Sequence, residues 1–316
     1  MKNKANITLV QLTEKESTLS AVDRMEPFFI NAKKNGSDLI VFPEYSLGRR
    51  ITIDSPSVMR FRELARIHKI NAVAGLIESI GDRWSTTAIV VDRDGKLLGK
   101  YLKTHPAGGP PPHDWPPLPD YDNEARGILG SEFKVFELDF GPITILQCYD
   151  GMFPEAWTCA GWSGAEIILW INGRPSMIQD AFCITAAHCY GCVVAACISD
   201  GWNTGFAEPR VTCINAPGKR EEMRLFPRIM EKGDASIHAT IDLAALRVHR
   251  KHLRTMHQRR PELYTPQNHS VTTWQNYPDI PWAVPECQCF TNKAQLKWPP
   301  DMDNNSSLYN KKQKEK

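Results

Sequence analysis

Between Pro142 and Gly173 the chain runs strand, sharp turn, helix, strand, and that order of elements limits the fold more than any other feature. Ile143 to Leu146 form an apolar, β-branched run of buried-strand length, Asp150-Gly151 supply the turn, and Pro154 stands where a first helical residue belongs. Glu155 falls in the first helical turn, Gly164 stops the helix, and Ile167 to Ile171 begin the next strand. The thiol of Cys148 is thereby set on an elbow at a strand end, with a helix N-terminus close enough to favour a thiolate. A nucleophile belongs in such a place.

The same alternation extends along the chain. Residues 6 to 11 read as a strand, Glu14 to Lys33 as a helix stopped by Gly36, and Ser37 to Phe42 as a strand ending at Pro43-Glu44-Tyr45-Ser46. Arg60 to Lys69 carry a helical stripe, Asn71 to Leu76 and Thr86 to Val91 are strands, and Asp92 to Lys96 form a hairpin turn whose return strand ends at Lys103. A proline-stiffened loop follows to Asp122 and reads as a pocket wall. Phe133 to Leu138 pair with Ile143 to Leu146; Met177 to Tyr190 form a helix; Cys192 to Ile198, Val211 to Ile214 and Ser236 to Ile241 form strands. Leu243 to Gln258 read as one basic helix, and beyond Pro261 the pattern dissolves. Apolar strands alternating with helices, with hairpins mixed in, predict an α/β fold of two mixed sheets face to face, a four-layer αββα sandwich. Residues 1–265 form one domain and 266–316 a C-terminal extension.

A net charge of +2 points to neither nucleic acid nor a membrane surface as partner, and leaves a small molecule as the natural substrate. The nine cysteines lack the loop spacing of a disulfide framework and suit a reducing compartment. Cys159, Cys183, Cys189, Cys192, Cys197 and Cys213 read as inert core. Cys189-Tyr190-Gly191-Cys192 and Cys287-Gln288-Cys289 have no histidine or second pair at zinc-ligand spacing, so no metal is expected. The apolar run Ile7 to Val10 is too short for a signal segment or a span, and the expectation is a soluble, cytoplasmic protein.

Glu44, Lys103 and Cys148 each follow a strand, and their separations make sense only if they converge at one end of a sheet. A thiol needs a base, a desolvated glutamate can serve as one, and a lysine can stabilise charge on an attacked oxygen. Val41-Phe42-Pro43-Glu44-Tyr45-Ser46-Leu47, Gly99-Lys100-Tyr101-Leu102-Lys103 and Cys148-Tyr149-Asp150-Gly151-Met152-Phe153-Pro154-Glu155 resemble the three signatures of the nitrilase superfamily of carbon–nitrogen hydrolases. The resemblance implies the αββα sandwich, a catalytic Glu44-Lys103-Cys148 triad, and homo-oligomers built on a dimer. It also implies hydrolysis of a small, non-peptide amide through an acyl-enzyme with release of ammonia and no metal or organic cofactor. The run after Cys148 is similar to aliphatic amidases and formamidases; the alternatives are a nitrilase, an N-carbamoyl amidohydrolase, or a silent scaffold of the same fold.

Around the triad, the candidate substrate-binding residues are Tyr45, His113, Asp114, Trp115, Asp122, Tyr149, Asn172 and Arg174. The backbone amide of Tyr149 is the implied second oxyanion donor. His113, Asp114 and Trp115 stand in the loop that carries a second glutamate in related amidases, and an alternative alignment gives that role to Asp122 or Glu124. Asn172 and Arg174 follow a strand across the cleft, where Arg174 is positioned for a polar or acidic substrate group.

Overall fold

The computed structural model describes residues 2–13, 21–107, 124, 127–173, 179–199, 203–209 and 225–268. The chain divides into two compact units, Met1–Thr104 with Gly130–His257, and His105–Leu129 with Gln258–Lys316.

The first unit holds two six-stranded sheets. One is ordered β12-β1-β2-β3-β4-β5, from Ala235–Asp242, Lys4–Gln11, Leu39–Val41, Asn71–Ile80, Arg83–Val91 and Leu97–Leu102. The other is ordered β11-β10-β9-β8-β7-β6, from Leu225–Arg228, Gly205–Ala207, Val193–Ile198, Ile167–Asn172, Pro142–Gln147 and Val135–Glu137. Each has a parallel centre, β1-β2-β3 or β7-β8-β9, flanked by antiparallel strands. Because β5 is antiparallel to β4 and β4 to β3, two reversals leave β5 running with β2 and β3. The ends of β2 and β5 therefore face the same way.

The strands read as continuous apolar runs because both faces are covered. Ile7, Leu9, Leu39, Val41 and Val73 of the first sheet meet Ile143, Ile145, Ile167, Leu169 and Ile171 of the second in the central core. The alternate residues Val10, Ile40, Ala72, Ala74 and Leu76 face outward to Phe29 of α1 (Glu26–Lys34) and Phe61 and Leu64 of α2 (Pro56–His68). On the other side Leu146, Ile168 and Trp170 meet Ala156, Trp157 and Ala160 of α3 (Pro154–Trp162) and Ala186 and Ala187 of α4 (Gln179–Tyr190). Period-two alternation on every strand thus builds three apolar layers between four structural ones.

Several elements differ from expectation. Residues 14–20, most of the proline-rich loop, Val211 to Ile214 and the chain beyond 268 lie outside the described residues. The basic helix breaks at Leu253, whose extended backbone sets its side chain against Gly191, leaving α5 (Leu243–His252) and α6 (Arg254–His257). Two of its arginines turn inward: Arg247 forks onto both oxygens of Glu166 at 2.7 and 2.8 Å, and Arg250 donates to the Ala165 carbonyl. In the second unit Pro261 opens a helix, α7 (Pro261–Asn268), consistent with proline at a first helical position. Cys159 and Cys189 are exposed rather than core, since α3 packs through Ala156, Trp157 and Ala160 and α4 through Cys183, Ala186 and Ala187. Cys183, Cys192 and Cys197 are buried as expected. Among the described residues no helix is long and apolar enough to cross a membrane.

The starting ends of the parallel strands are held by charge. Asp38, before β2, accepts from Lys2 (2.7 Å), the Asn6 N–H (2.9 Å) and Arg93 (2.6 Å), and Asp139, before β7, accepts from Asn71 (2.7 Å) and Arg93 (3.1 Å). Burial alone would raise the Asp38 carboxyl, but these donors outweigh it and hold it below its ordinary value; Asp139 is lowered by the same balance. A carboxyl that is more acidic in the folded chain contributes stability above its unfolded pKa, about 3.9, and loses it as pH falls through the folded value. Urea unfolding midpoints of Asp38→Asn, measured from pH 7 to pH 2, are expected to decline less steeply on the acid side than those of the unsubstituted protein. Parallel curves would remove Asp38 as a source of acid sensitivity.

Candidate active site

Glu44 reaches the rim because the chain leaving β2 stays bonded to β3. The Phe42 N–H donates to Val73 (2.8 Å), the Gly75 N–H to Pro43 (3.1 Å) and the Leu47 N–H to Gly75 (3.0 Å). Gly75 permits this approach, since a Cβ there would lie 2.7 Å from the Glu44 Cα. Tyr45 then takes a left-handed φ of 62°, and the Ser46 hydroxyl closes the turn on the Pro43 carbonyl at 2.7 Å. The carboxylate is fixed from two sides: Lys103 Nζ lies 3.0 Å from Oε1, and the Gly173 N–H donates to Oε2 at 2.9 Å. Glu44 and Lys103 are each 1% exposed, which makes the pair costly to break. Removing one partner of such a buried pair typically costs about 3–5 kcal/mol.

Cys148 follows the end of β7 and opens a short 3-10 turn, Cys148–Met152, so that α3 begins only at Pro154. The helix thus starts at the proline that the sequence pointed to, and the 3-10 turn fills the residues between it and Cys148. Cys148 is half-buried and has φ 44°, a conformation that costs a non-glycine residue about 1–2 kcal/mol. Such strain persists where the surroundings over-determine it. Here they do: Trp170 Nε1 donates to the Cys148 carbonyl (2.9 Å) and Trp157 Nε1 to the Gly151 carbonyl (2.8 Å).

Asp150 and Gln147 join this elbow to the strand end that carries Lys103. Asp150, fully buried, accepts from the Gln147 N–H (2.9 Å), the Tyr101 hydroxyl (2.8 Å) and the Thr104 hydroxyl (2.9 Å). Gln147 Nε2 donates to the Thr86 carbonyl (3.2 Å), the same oxygen that accepts the Lys103 N–H (2.9 Å). The end of β7 in one sheet is therefore stitched to the ends of β4 and β5 in the other. Burial, with the negative charge of Asp150, pushes the Tyr101 hydroxyl well above its ordinary value and keeps it a donor.

Among the predicted pocket residues, Tyr45 stands next to Glu44: a Cβ on Gly173 would lie 2.9 Å from both Glu44 Oε2 and Tyr45 Cε2. Tyr149 is exposed, with its ring edge-on to Phe153 at 5.4 Å. Asn172 is buried and its amide donates to the Trp170 carbonyl at 3.0 Å, so Gly173, one residue on, makes the contact with Glu44. His113, Asp114, Trp115, Asp122 and Arg174 lie outside the described residues. Glu124 belongs to the second unit and accepts the Ala107 N–H at 2.6 Å. Sequence reasoning treated Asp150 as a turn residue; a carboxylate two positions after a candidate nucleophile was the available signal. Gly75 and Gly173 carried none.

The other thiols set a contrast. Burial pushes Cys192 up to about 11 and raises Cys183 and Cys197 further, so these remain protonated at neutral pH. Among the described residues no three His, Cys, Asp or Glu side chains stand together as a metal site.

Asp150→Asn would set an amide N–H₂ among three donors and leave a buried polar group unsatisfied, a loss of about 1–3 kcal/mol. The expected result is a lowered urea midpoint together with slower carboxamidomethylation of Cys148 by iodoacetamide, followed by peptide mass spectrometry. Unchanged labelling of Cys148 at reduced stability would limit Asp150 to a folding role.

A family model described as carbon-nitrogen hydrolase matches residues 6–188. The chain is 25% identical over 288 residues to a citrullinase of Francisella tularensis, covering 82% of this chain and 96% of that protein. It is 30% identical over 165 residues to a formamidase of Pseudomonas syringae, a match spanning 48% of this chain and 44% of the formamidase. Among solved structures, Saccharomyces cerevisiae Nit3, a member of branch 10 of the nitrilase superfamily, aligns with a TM-score of 0.67 at 19% identity, covering 82% of this chain and 97% of Nit3. An amidase mutant from Nesterenkonia sp., which carries the acetamide moiety of fluoroacetamide on its active-site cysteine, aligns with a TM-score of 0.64 at 18% identity, covering 83% and 96%. The family match extends over more than half of the chain and includes Glu44, Lys103 and Cys148, and the two mixed sheets are those of the nitrilase structures. The protein belongs to the carbon–nitrogen hydrolase family.

Proposed function

We propose that this protein hydrolyses a small, non-peptide amide with Cys148 as nucleophile, Glu44 as general base and Lys103 as electrostatic stabiliser. One observation carries the reading: a fully buried carboxylate–ammonium pair, 3.0 Å apart, stands at the strand end to which the Cys148 elbow is tied through Thr86, Tyr101 and Asp150. Glu44 takes the thiol proton as sulfur attacks the carbonyl carbon. The oxygen, now negative, is held by the Lys103 ammonium and the Tyr149 N–H. Collapse breaks the carbon–nitrogen bond, Glu44 returns the proton to the departing nitrogen, and ammonia leaves an acyl-enzyme. Water then attacks the thioester with Glu44 again accepting a proton, and the acid and thiol are released. The adduct on the active-site cysteine of the Nesterenkonia amidase, an alkylation that displaces fluoride and keeps the amide, supports a nucleophilic thiol at the equivalent place rather than the acyl step itself. Tyr45 walls the acyl side of the cleft beside Glu44.

A second reading is favoured by the match to a citrullinase along nearly that protein's whole length. With a ureido substrate, attack on the ureido carbon breaks its bond to the substituted nitrogen, the amine leaves with the proton from Glu44, and a carbamoyl group remains on sulfur for water to remove.

Intact-mass analysis during turnover of a panel of amides, ureido compounds and nitriles separates these readings. An acyl adduct is expected on the unsubstituted protein with amides, a carbamoyl adduct with ureido compounds, and neither on Cys148→Ala. Glu44→Gln and Lys103→Met are expected to lower kcat/KM by about 10²–10⁴-fold. Hydrolysis retained by Cys148→Ala would end the thiol mechanism.

A further inference from the structure

The backbone N–H that donates to Glu44 Oε2 belongs to Gly173, which has no side chain by which to hold itself, since a Cβ there would lie 2.9 Å from that same oxygen. Glycine has the widest backbone freedom of any residue, so something else must fix this peptide. Ser199 does so. It follows β9 directly, and its N–H extends the parallel β8–β9 ladder by one bond, donating to the Asn172 carbonyl at 2.9 Å. That carbonyl and the Gly173 N–H are the two ends of one peptide unit. The Ser199 hydroxyl then donates to the next carbonyl, that of Gly173, at 2.6 Å. Ser199 is buried, and the strand residue before it is itself anchored, the Ile198 N–H donating to the buried Thr204 hydroxyl at 3.1 Å. One serine therefore holds the peptides on both sides of the Gly173 Cα, and the first of them carries the donor to Glu44.

We infer that Ser199 is a positioning residue for Glu44: it acts through Gly173 to set the orientation of the carboxylate that takes the thiol proton. The inference rests on the proposed thiol hydrolysis, with Glu44 as its base. The last torsion of a glutamate side chain is broad, so a carboxylate held by one donor can swing. Held at Oε1 by Lys103 and at Oε2 by Gly173, its plane is defined. The bond from the Ser199 N–H and the bond to Glu44 stand at opposite ends of the Asn172–Gly173 peptide, so each polarises that amide toward the other. The hydroxyl bond, beyond the Gly173 Cα, completes the grip. Without it the glycine can rotate, and its N–H can turn away from Glu44 at little conformational cost. Asn172 does not share the task, because its own amide donates back to the Trp170 carbonyl. Both Ser199 bonds go to backbone, so its effect on the reaction passes through the base and not through the substrate.

The test reads the rate at which iodoacetamide alkylates Cys148, followed by peptide mass spectrometry, with the exposed Cys159 and Cys189 as references on the same chain. The thiolate forms a sulfur–carbon bond and expels iodide, so the rate follows how readily the thiol proton is given up. Ser199→Ala removes the hydroxyl and keeps the backbone N–H. It is expected to slow Cys148 about three- to tenfold with Cys159 and Cys189 unmoved, Ser199→Thr to restore the rate, and Ser199→Cys, a weaker donor of similar size, to fall between. In the Glu44→Gln background, Ser199→Ala is expected to change the Cys148 rate by less than about twofold, since a residue that acts through Glu44 then has nothing to act through. In turnover of the amide or ureido compound that leaves an adduct on Cys148, Ser199→Ala is expected to lower kcat about ten- to a hundredfold with KM nearly constant. Urea midpoints check that each variant is folded; should Ser199→Ala unfold, Ser199→Cys against Ser199→Thr, in both backgrounds, carries the comparison. Equal slowing in both backgrounds, or none in either, would overturn the assignment while leaving the thiol chemistry standing. A Cys148 no more reactive than Cys159 and Cys189 in the unsubstituted protein would instead remove the nucleophile, and the assignment with it.

Discussion

A carboxylate and an ammonium group withdrawn from water and set 3.0 Å apart depend on everything built around them. Water would normally solvate both, and the two sheets with their helices exclude it; the attraction between them is correspondingly stronger than at a surface, and their isolation costlier. Glu44 has a further donor in the Gly173 backbone, so three separate strand ends must arrive together before the charge is satisfied. The sandwich delivers them because β5 regains the direction of β2 after two reversals, while β7 and β8 run parallel in the opposing sheet. The topology is thus what makes the burial of charge tolerable.

The seam between the sheets at this end is polar, although the rest of the core is apolar. Asp150, Gln147, Tyr101 and Thr104 form a bonded set whose donors and acceptors meet across the two layers. A half-satisfied network of this kind would cost more than an apolar filling, which is why a buried carboxylate with three donors constrains geometry so strongly. It also explains how Cys148 can keep a left-handed backbone. At the opposite end of the parallel strands, Asp38 and Asp139 with Lys2 and Arg93 clamp the layers by charge in a more exposed setting. The two ends are held by similar chemistry at different depths.

Much of this was legible in the residue order, and the rest was hidden for identifiable reasons. The runs at Ile7 to Val10, Leu39 to Val41 and Ile167 to Ile171 are strands in the structure, because continuous apolar β-branched segments of that length have few other stable uses. Glu44 and Lys103 were readable as partners from their positions after strands, and they do meet. The edge strand β11 and its neighbour β10 went unseen, being four and three residues long with little pattern to read. The break at Leu253 was equally invisible, since it follows from packing on Gly191 and not from helix propensity. Cys159 and Cys189 were misread as core because an apolar neighbourhood in sequence says nothing about which face of a helix is covered.

The sequence by itself determined the alternation of elements, the apolar layering and the residue types at the strand ends, because periodicity and turn chemistry act over a few neighbours. Only the tertiary structure decided that residues separated by 59 and 129 positions share one carboxylate. It likewise decided that Asp150 spans two sheets. Those outcomes depend on strand order and close backbone approach, as at Gly75, and are set by packing of the whole chain rather than by any segment of it.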